Sequence, residues 1–169
     1  MAMTPAPTPP TSALPQGTIA PDFTLPAAVD KTVRLSELRG RPVVLAFYPA
    51  DFSPVCGDQL AVYNEMEEQF SAHRAHLLAI SVDGVWCHGA YRQQRNLFFP
   101  LLSDFHPHGQ VARQYGVYRP DDGICERALF VIDDQGKIRW SFVSPIGENP
   151  GADGIFAALE QLARPRGAR

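Results

Sequence analysis

A chain of 169 residues with 45% hydrophobic and 20% charged side chains has the size and composition of one soluble globular domain that can bury a core without disulfide staples. Its net charge of −3 is the balance of 15 basic and 18 acidic residues, scattered with both signs, which argues against nucleic acid or an anionic membrane as a partner. The longest apolar runs, Val43–Phe47 and His76–Val82, are strand-sized and too short to span a bilayer.

The first sixteen residues hold five prolines and no basic region followed by an apolar core. They read as an extended tail and not as a secretory signal. The domain is expected over residues 17–163, with a short C-terminal tail over 164–169. Three cysteines, Cys56, Cys87 and Cys125, are too few, and odd in number, for a secreted disulfide framework; a reducing, cytoplasmic setting is expected.

A-P-D-F-T-L followed by T-V-R-L-S-E-L predicts a β-hairpin that runs into a turn at Arg39–Gly40. Pro42–Tyr48 is a near-continuous apolar strand of the kind buried on both faces. Val55, Leu60, Tyr63, Met66, Glu67 and Phe70 then step by one to five residues and predict one amphipathic helix from Pro54 to His73. His76–Val82 is a second buried strand, and Val85–Asn96 a second helix. This order predicts a parallel βαβ unit with a right-handed crossover. F-P-L-L-S-D follows, then a helical H-G-Q-V-A-R-Q-Y-G closed by Gly116. R-A-L-F-V-I-D, the turn D-Q-G-K and I-R-W-S-F-V predict a hairpin, and Asp153–Leu162 a closing helix. The fold class is α/β, a central mixed sheet with helices on both faces, without internal repeat or second domain.

In such sheets functional groups gather where strands end and helices begin. Cys56, in Y-P-A-D-F-S-P-V-C-G-D-Q-L, falls in the first turn of the predicted helix, where free N–H donors and the helix dipole favour an anion. For a cysteine that anion is the reactive thiolate. A thiol of pKa about 8.5 is only about 3% ionised at pH 7, whereas one lowered to about 6 is about 90% ionised. Pro54 suits a first helical position, and Pro49 ends the strand and shields one side of the thiol. Ser53, one turn before Cys56, can turn its hydroxyl toward the sulfur or toward a bound oxygen. A plain N-cap serine and a small buried cysteine remain the alternative on local physics alone.

P-A-D-F-S-P-V-C matches the Pro-x-x-x-Thr/Ser-x-x-Cys signature of the peroxiredoxins, the thiol peroxidases of the alkyl hydroperoxide reductase/thiol-specific antioxidant superfamily. A-P-D-F-T-L, L-S-E-L-R-G-R-P-V-V-L-A-F-Y-P, A-I-S-V-D, F-P-L-L-S-D and R-A-L-F-V-I-D occur in that family's order, so the likeness runs from about Gly17 to Leu162. The resemblance implies a thioredoxin-like fold and a thiol-dependent peroxidase, acting in antioxidant defence without metal, haem or flavin. It implies Cys56 as the peroxidatic cysteine, Ser53 in the threonine position, Pro49 as the shielding proline and Arg127 as the active-site arginine. Gln59 falls where the family often has Glu or Gln bridging to arginines. The implied reaction is attack of the Cys56 thiolate on a peroxide oxygen, leaving a sulfenic acid that an external thiol such as thioredoxin recycles. A homodimer or larger homo-oligomer is implied as well.

S-V-D-G-V-W and Q-Y-G-V-Y are similar to the one-cysteine subgroup related to alkyl hydroperoxide reductase E. The C-terminal Val-Cys-Pro of two-cysteine members is absent, and the position five after Cys56 is Ala61. Cys87, opening the next helix at the same sheet edge, is the favoured resolving cysteine. Cys125 is the second candidate, because two residues apart on one strand it would share a face with Arg127. The pair His106 and His108, around Pro107, lacks ligands at zinc-like spacing and reads as solvated; His73 and His76 read likewise. Trp86 and Trp140 read as core or dimer-surface residues, and no phosphate-binding glycine loop is present. A thioredoxin-like disulfide reductase would need Cys-x-x-Cys, but Gly57, Asp58 and Gln59 follow Cys56. A non-enzymatic peroxide sensor or scaffold is the remaining alternative.

Overall fold

The structure, a computed structural model, describes residues 12–164. Most of the proline-rich stretch and residues 165–169 lie outside it. At its centre β3 (Val43–Phe47) pairs in parallel with β4 (His76–Ser81), from Val43↔His76 to Phe47↔Ile80, and antiparallel with β8 (Arg127–Ile132), from Val43↔Ile132 to Phe47↔Ala128. Parallel β5 (Leu101–Ser103) and antiparallel β9 (Ile138–Ser144) complete the order β5-β4-β3-β8-β9. Every residue of β3 and β8 is buried. A central strand covered on both faces needs apolar side chains at each position, and this is why the sequence shows runs and not alternation there.

Successive residues still point to opposite faces, which splits the core in two. Val43, Leu45, Phe47, Ala128, Phe130 and Ile132 meet Tyr115 and the short helix α4 (Gln110–Gln114) beneath the hairpin β1 (Thr24–Ala28) and β2 (Lys31–Arg34). Val44, Ala46, Leu129 and Val131 meet α1 (Pro54–Glu65), α3 (Val85–Arg95) and α5 (Asp153–Ala163). Helices thus cover both faces, three long ones against a single short one.

The helix expected over Pro54–His73 is two helices. Met66 leaves the α region at φ −104°, ψ 23°, its N–H donates to Tyr63 O at 3.1 Å, and α2 (Glu67–Ala72) restarts with Glu67 and Glu68 in its first turn, where acidic side chains suit a helix N-terminus. Tyr63 and Phe70 are seven residues apart, so both reach the core across the break and the apolar spacing carries no sign of it.

Residues 12–16, expected in the tail, are held on the domain. Leu14 N donates to Tyr115 O at 3.1 Å, and Ser12 Oγ to Gly116 O at 3.3 Å. Gly116 has φ +72°, and a Cβ there would lie 2.0 Å from Ser12 O. Both the turn after α4 and the close passage of this strand of chain require glycine.

Candidate active site

The thiol of Cys56 is placed by the end of β3. Tyr48 continues the sheet through its N–H to Ile80 O at 3.0 Å, Pro49 is buried beyond it, and the loop turns back through Phe52 at φ +64°. Ser53 is the N-cap residue in extended conformation, Pro54 opens α1, and Cys56, the third helical residue, is fully buried. Ser53 makes no side-chain capping bond. Its hydroxyl is therefore not committed to the role that residue type usually plays at this position.

Arg127 arrives from far along the chain because β8 runs antiparallel to β3, which sets the first residue of one strand beside the last of the other. Its parity with Leu129 and Val131 turns it to the face that carries α1. The side chain is 1% exposed. Nε and Nη2 donate to Ile146 O at 3.0 and 2.7 Å, and Nη1 donates to Gln59 Oε1 at 2.8 Å and to Cys56 Sγ at 3.4 Å. Gln59, also fully buried, donates from Nε2 to Tyr63 OH at 2.9 Å, and Tyr63 OH donates to Gly151 O at 3.1 Å. Burial pushes the Tyr63 phenol up to about 12, against the pull of the Gln59 bond and the Arg127 charge, so it stays a donor.

None of the salt bridges among the described residues includes Arg127. A buried guanidinium is ordinarily paired with a carboxylate. Here its partners are an amide oxygen, a carbonyl and a sulfur, all formally neutral unless the sulfur ionises. Together with the N-terminus of α1, it makes the pocket around Cys56 a place that lacks one negative charge.

Cys87 is the third residue of α3, the helix that follows the neighbouring parallel strand, and is half-buried. Burial, followed by the hydrogen bond to Asp51 and the charges of Asp51 and Asp83, pushes its thiol up to about 11. Cys125 does not share a strand with Arg127. Tyr118–Arg119 and Ile124–Cys125 form a separate small hairpin, β6 and β7, and the change of course at Glu126 sends Cys125 into the core on the opposite face of the sheet from Cys56. Burial first, then nearby Asp104, Asp83 and Glu126, holds its thiol far above the ordinary range.

A second buried polar cluster stands beside Cys87 that the sequence reading missed. Tyr48 OH donates to Asp51 Oδ1 at 2.6 Å, and His88 Nδ1 lies 2.7 Å from Asp51 Oδ2. His88 Nε2 lies 3.2 Å from Leu102 O. A carbonyl only accepts, so Nε2 carries a hydrogen and a single proton lies between Nδ1 and Asp51. Asp51 N in turn donates to Asp83 Oδ2 at 2.9 Å. The signal that could have found this group is positional: Asp51, Asp83 and His88 follow the carboxyl ends of two adjacent parallel strands. Asp51, Asp83 and Cys87 bring three ligand-type atoms within 4.8 Å of one another, but both oxygens of Asp51 already serve Tyr48 and His88.

His106 and His108 are exposed, and His108 Nε2 donates to Gly123 O at 2.8 Å. Trp86 is 79% exposed. Trp140 is half-buried against Gly154, where a Cβ would meet its ring at 2.5 Å. Among the described residues no helix is long and apolar enough to cross a membrane.

The profile of the AhpC/TSA family matches residues 16–141. A thioredoxin peroxidase of Echinococcus granulosus is 37% identical over 145 residues, which span 79% of this chain and 74% of that protein. Alkyl hydroperoxide reductase E of Mycobacterium tuberculosis is 38% identical over 133 residues, 78% of this chain and 87% of that one. Among solved structures, the peroxidoxin BcpB of Mycobacterium tuberculosis superposes with a TM-score of 0.78 at 32% identity, covering 88% of this chain and 98% of its own. Sequence motif, sheet order and relatives agree, and the chain belongs to the AhpC/TSA family, the peroxiredoxins.

Proposed function

We infer that this chain is a thiol-dependent peroxidase whose reacting sulfur is Cys56. The observation that carries the assignment is the buried, carboxylate-free Arg127 donating to Cys56 Sγ at 3.4 Å at the start of α1. A guanidinium fork fixed beside the sulfur, with no carboxylate partner to share it, stabilises charge that grows on the peroxide oxygens during attack. The thiolate attacks one peroxide oxygen, the other leaves as water or an alcohol, and Cys56 is left as a sulfenic acid. Ser53, with its hydroxyl uncommitted to a cap, donates to the thiolate or to the bound oxygen. Pro49 keeps bulk water from the sulfur, and Gln59 holds Nη1 of Arg127 in place.

Cys87 is the resolving thiol, forming a Cys56–Cys87 disulfide that an external thiol reduces. The relative named thioredoxin peroxidase supports a thioredoxin-type reductant. Cys125, turned into the other core, has no path to Cys56 that leaves the sheet intact. Three free cysteines support a reducing, cytoplasmic setting. Phe52 and Trp86, 53% and 79% exposed, stand on the rim around the two thiol-bearing helix starts and support a homodimer that covers them. No Cys-x-x-Cys is available for the disulfide-reductase alternative.

The test is peroxide consumption by Cys56→Ser beside the unaltered chain, with peptide mapping after one equivalent of peroxide. The variant is expected to lose all but background activity, because an alcohol with no accessible anion cannot replace the thiolate. Retention of more than a few per cent of the second-order rate would sink the assignment. A Cys56–Cys87 linked peptide is the expected product of the unaltered chain, and sulfenic acid alone would make it a one-cysteine enzyme.

A further inference from the structure

We propose that Asp51, held between His88 and Tyr48, takes the proton from Cys87 as its sulfur attacks oxidised Cys56. The inference rests on the reading of Cys87 as the resolving thiol, and it assigns a base to that step. Asp51, Asp83 and Cys87 present two carboxylate oxygens and a sulfur within 4.8 Å of one another. Asp51 reaches Cys87 from the loop after β3, Asp83 from the loop after β4, and His88 stands next to Cys87 on α3. Asp51 and Asp83 are the charged groups that act on the thiol, and His88 acts on it only through Asp51.

Asp83 ties the loops together: its Oδ2 accepts from Asp51 N at 2.9 Å and from Ser81 Oγ at 2.5 Å. Asp51 is different because a buried imidazole backs it. The Asp51–His88 pair holds one shared proton, and its side chains are 0% and 1% exposed. Accepting a second proton gives a carboxylic acid beside an imidazolium. A neutral thiol beside a neutral pair then becomes a thiolate beside a cationic pair, with no change in the net charge of the cluster. At rest burial, and after it the nearby carboxylate oxygens of Asp51 and Asp83, oppose ionisation of the Cys87 thiol. Cys87 is thereby quiet toward peroxide while Cys56 waits for it.

The S–H bond of Cys87 breaks and its proton passes to Asp51. The Cys87 sulfur attacks the Cys56 sulfur, the new S–S bond forms and the S–O bond of the sulfenic acid breaks. The departing hydroxide takes the proton back from the pair and leaves as water. The two sulfurs share the two-electron oxidation that peroxide delivered to Cys56.

The experiment compares two rates in Asp51→Asn: iodoacetamide alkylation of reduced Cys87 at pH 8, and formation of the Cys56–Cys87 peptide after one equivalent of peroxide. Removing the carboxylate that faces the thiol is expected to speed alkylation about tenfold, since one unit of pKa is tenfold in thiolate. Loss of the base is expected to slow disulfide formation about a hundredfold, within the usual range for general base catalysis. The opposite directions are the signature. Both rates rising would make Asp51 only an electrostatic brake and overturn the proposal, as would no change in disulfide formation. Asp83→Asn is the contrast, expected to speed alkylation without slowing the disulfide. If Asp51→Asn does not fold, His88→Gln is read as disulfide formation per fraction of ionised Cys87, where a fall of about tenfold is expected and no fall overturns the idea. Absence of a Cys56–Cys87 peptide from the unaltered chain would remove the resolving role itself, a failure recognisable because the alkylation change in Asp51→Asn would persist.

Discussion

Arg127 Nη1 lies 3.4 Å from Cys56 Sγ across 71 positions of sequence, brought there by the antiparallel pairing of β8 with β3. Because the guanidinium has no carboxylate partner, its removal takes away the main cation facing the sulfur. Arg127→Ala is expected to slow peroxide reduction by 10²–10³, or roughly 3–4 kcal/mol, the usual worth of one preorganised donor at developing charge. Arg127→Lys keeps the charge but not the fork that reaches Ile146 O, Gln59 and Cys56 together, so it recovers only part of the rate. Stopped-flow peroxide consumption measures both, with circular dichroism as the check on fold. An unchanged rate constant in Arg127→Ala would show that another group stabilises the transition state.

Gln59 is the bridge between Arg127 and Tyr63, with bonds of 2.8 and 2.9 Å. Gln59→Leu keeps the volume and removes both. Its expected cost is about 1–2 kcal/mol in stability, the scale of a buried hydrogen bond whose partner is left behind. The peroxide rate is expected to fall by about tenfold, since Nη1 of Arg127 is no longer fixed. Urea unfolding and the same kinetic assay give the two numbers. A stability loss with an unaltered rate would reduce Gln59 to a packing residue.

Ser53 separates two roles that one residue type often combines. An N-cap serine that bonds the helix costs about 1 kcal/mol when replaced by alanine, but Ser53 makes no such bond. Ser53→Ala is therefore expected to change stability by only a few tenths of a kcal/mol, while the rate with peroxide drops by ten- to a hundredfold. A full capping loss in thermal unfolding with normal kinetics would reverse the assignment.

The site's two ends differed in how openly the sequence displayed them. Cys56, Ser53 and Pro49 are local: a strand end, two prolines and a helix start fix them within eight residues. Arg127 came through the family pattern, since nothing in E-R-A-L-F-V-I-D itself says which residue of β3 it meets. The two-face burial of β3 and β8 was legible as apolar runs. The break at Met66 was not, because apolar spacing of seven survives it. The misplaced Cys125 has a similar origin: alternation places residues 125 and 127 on one face only if the strand continues through Glu126, and the β6–β7 hairpin interrupts it. The Asp51–His88 pair was hidden for a different reason. Its members are ordinary polar residues in sequence, and only the parallel pairing of β3 with β4 brings the loops after them together.

Asp133 gives the fold a pH dependence with a definite sign. Burial alone would raise its carboxyl, but hydrogen bonds from Lys137 N, Arg139 and Gln135 N outweigh that and hold it below the ordinary carboxylate range. Oδ1 accepts from Gln135 N and Lys137 N at 3.0 Å each, and Oδ2 accepts from Arg139 Nε at 2.7 Å, so the charge fastens the turn between β8 and β9. A group whose pKa is lower folded than unfolded contributes stability above the unfolded value, about 3.9, and loses it as pH falls through the folded one. Asn at this position can still accept the two backbone bonds but not the charge-assisted bond from Arg139. Asp133→Asn is thus expected to cost about 1–2 kcal/mol at pH 7, and the gap to the unaltered chain should close as pH falls from about 5 toward 3. Urea unfolding at pH 7, 5 and 3.5 reads this directly. A gap that stays constant across that range would mean that the turn depends on the shape of Asp133 and not on its charge.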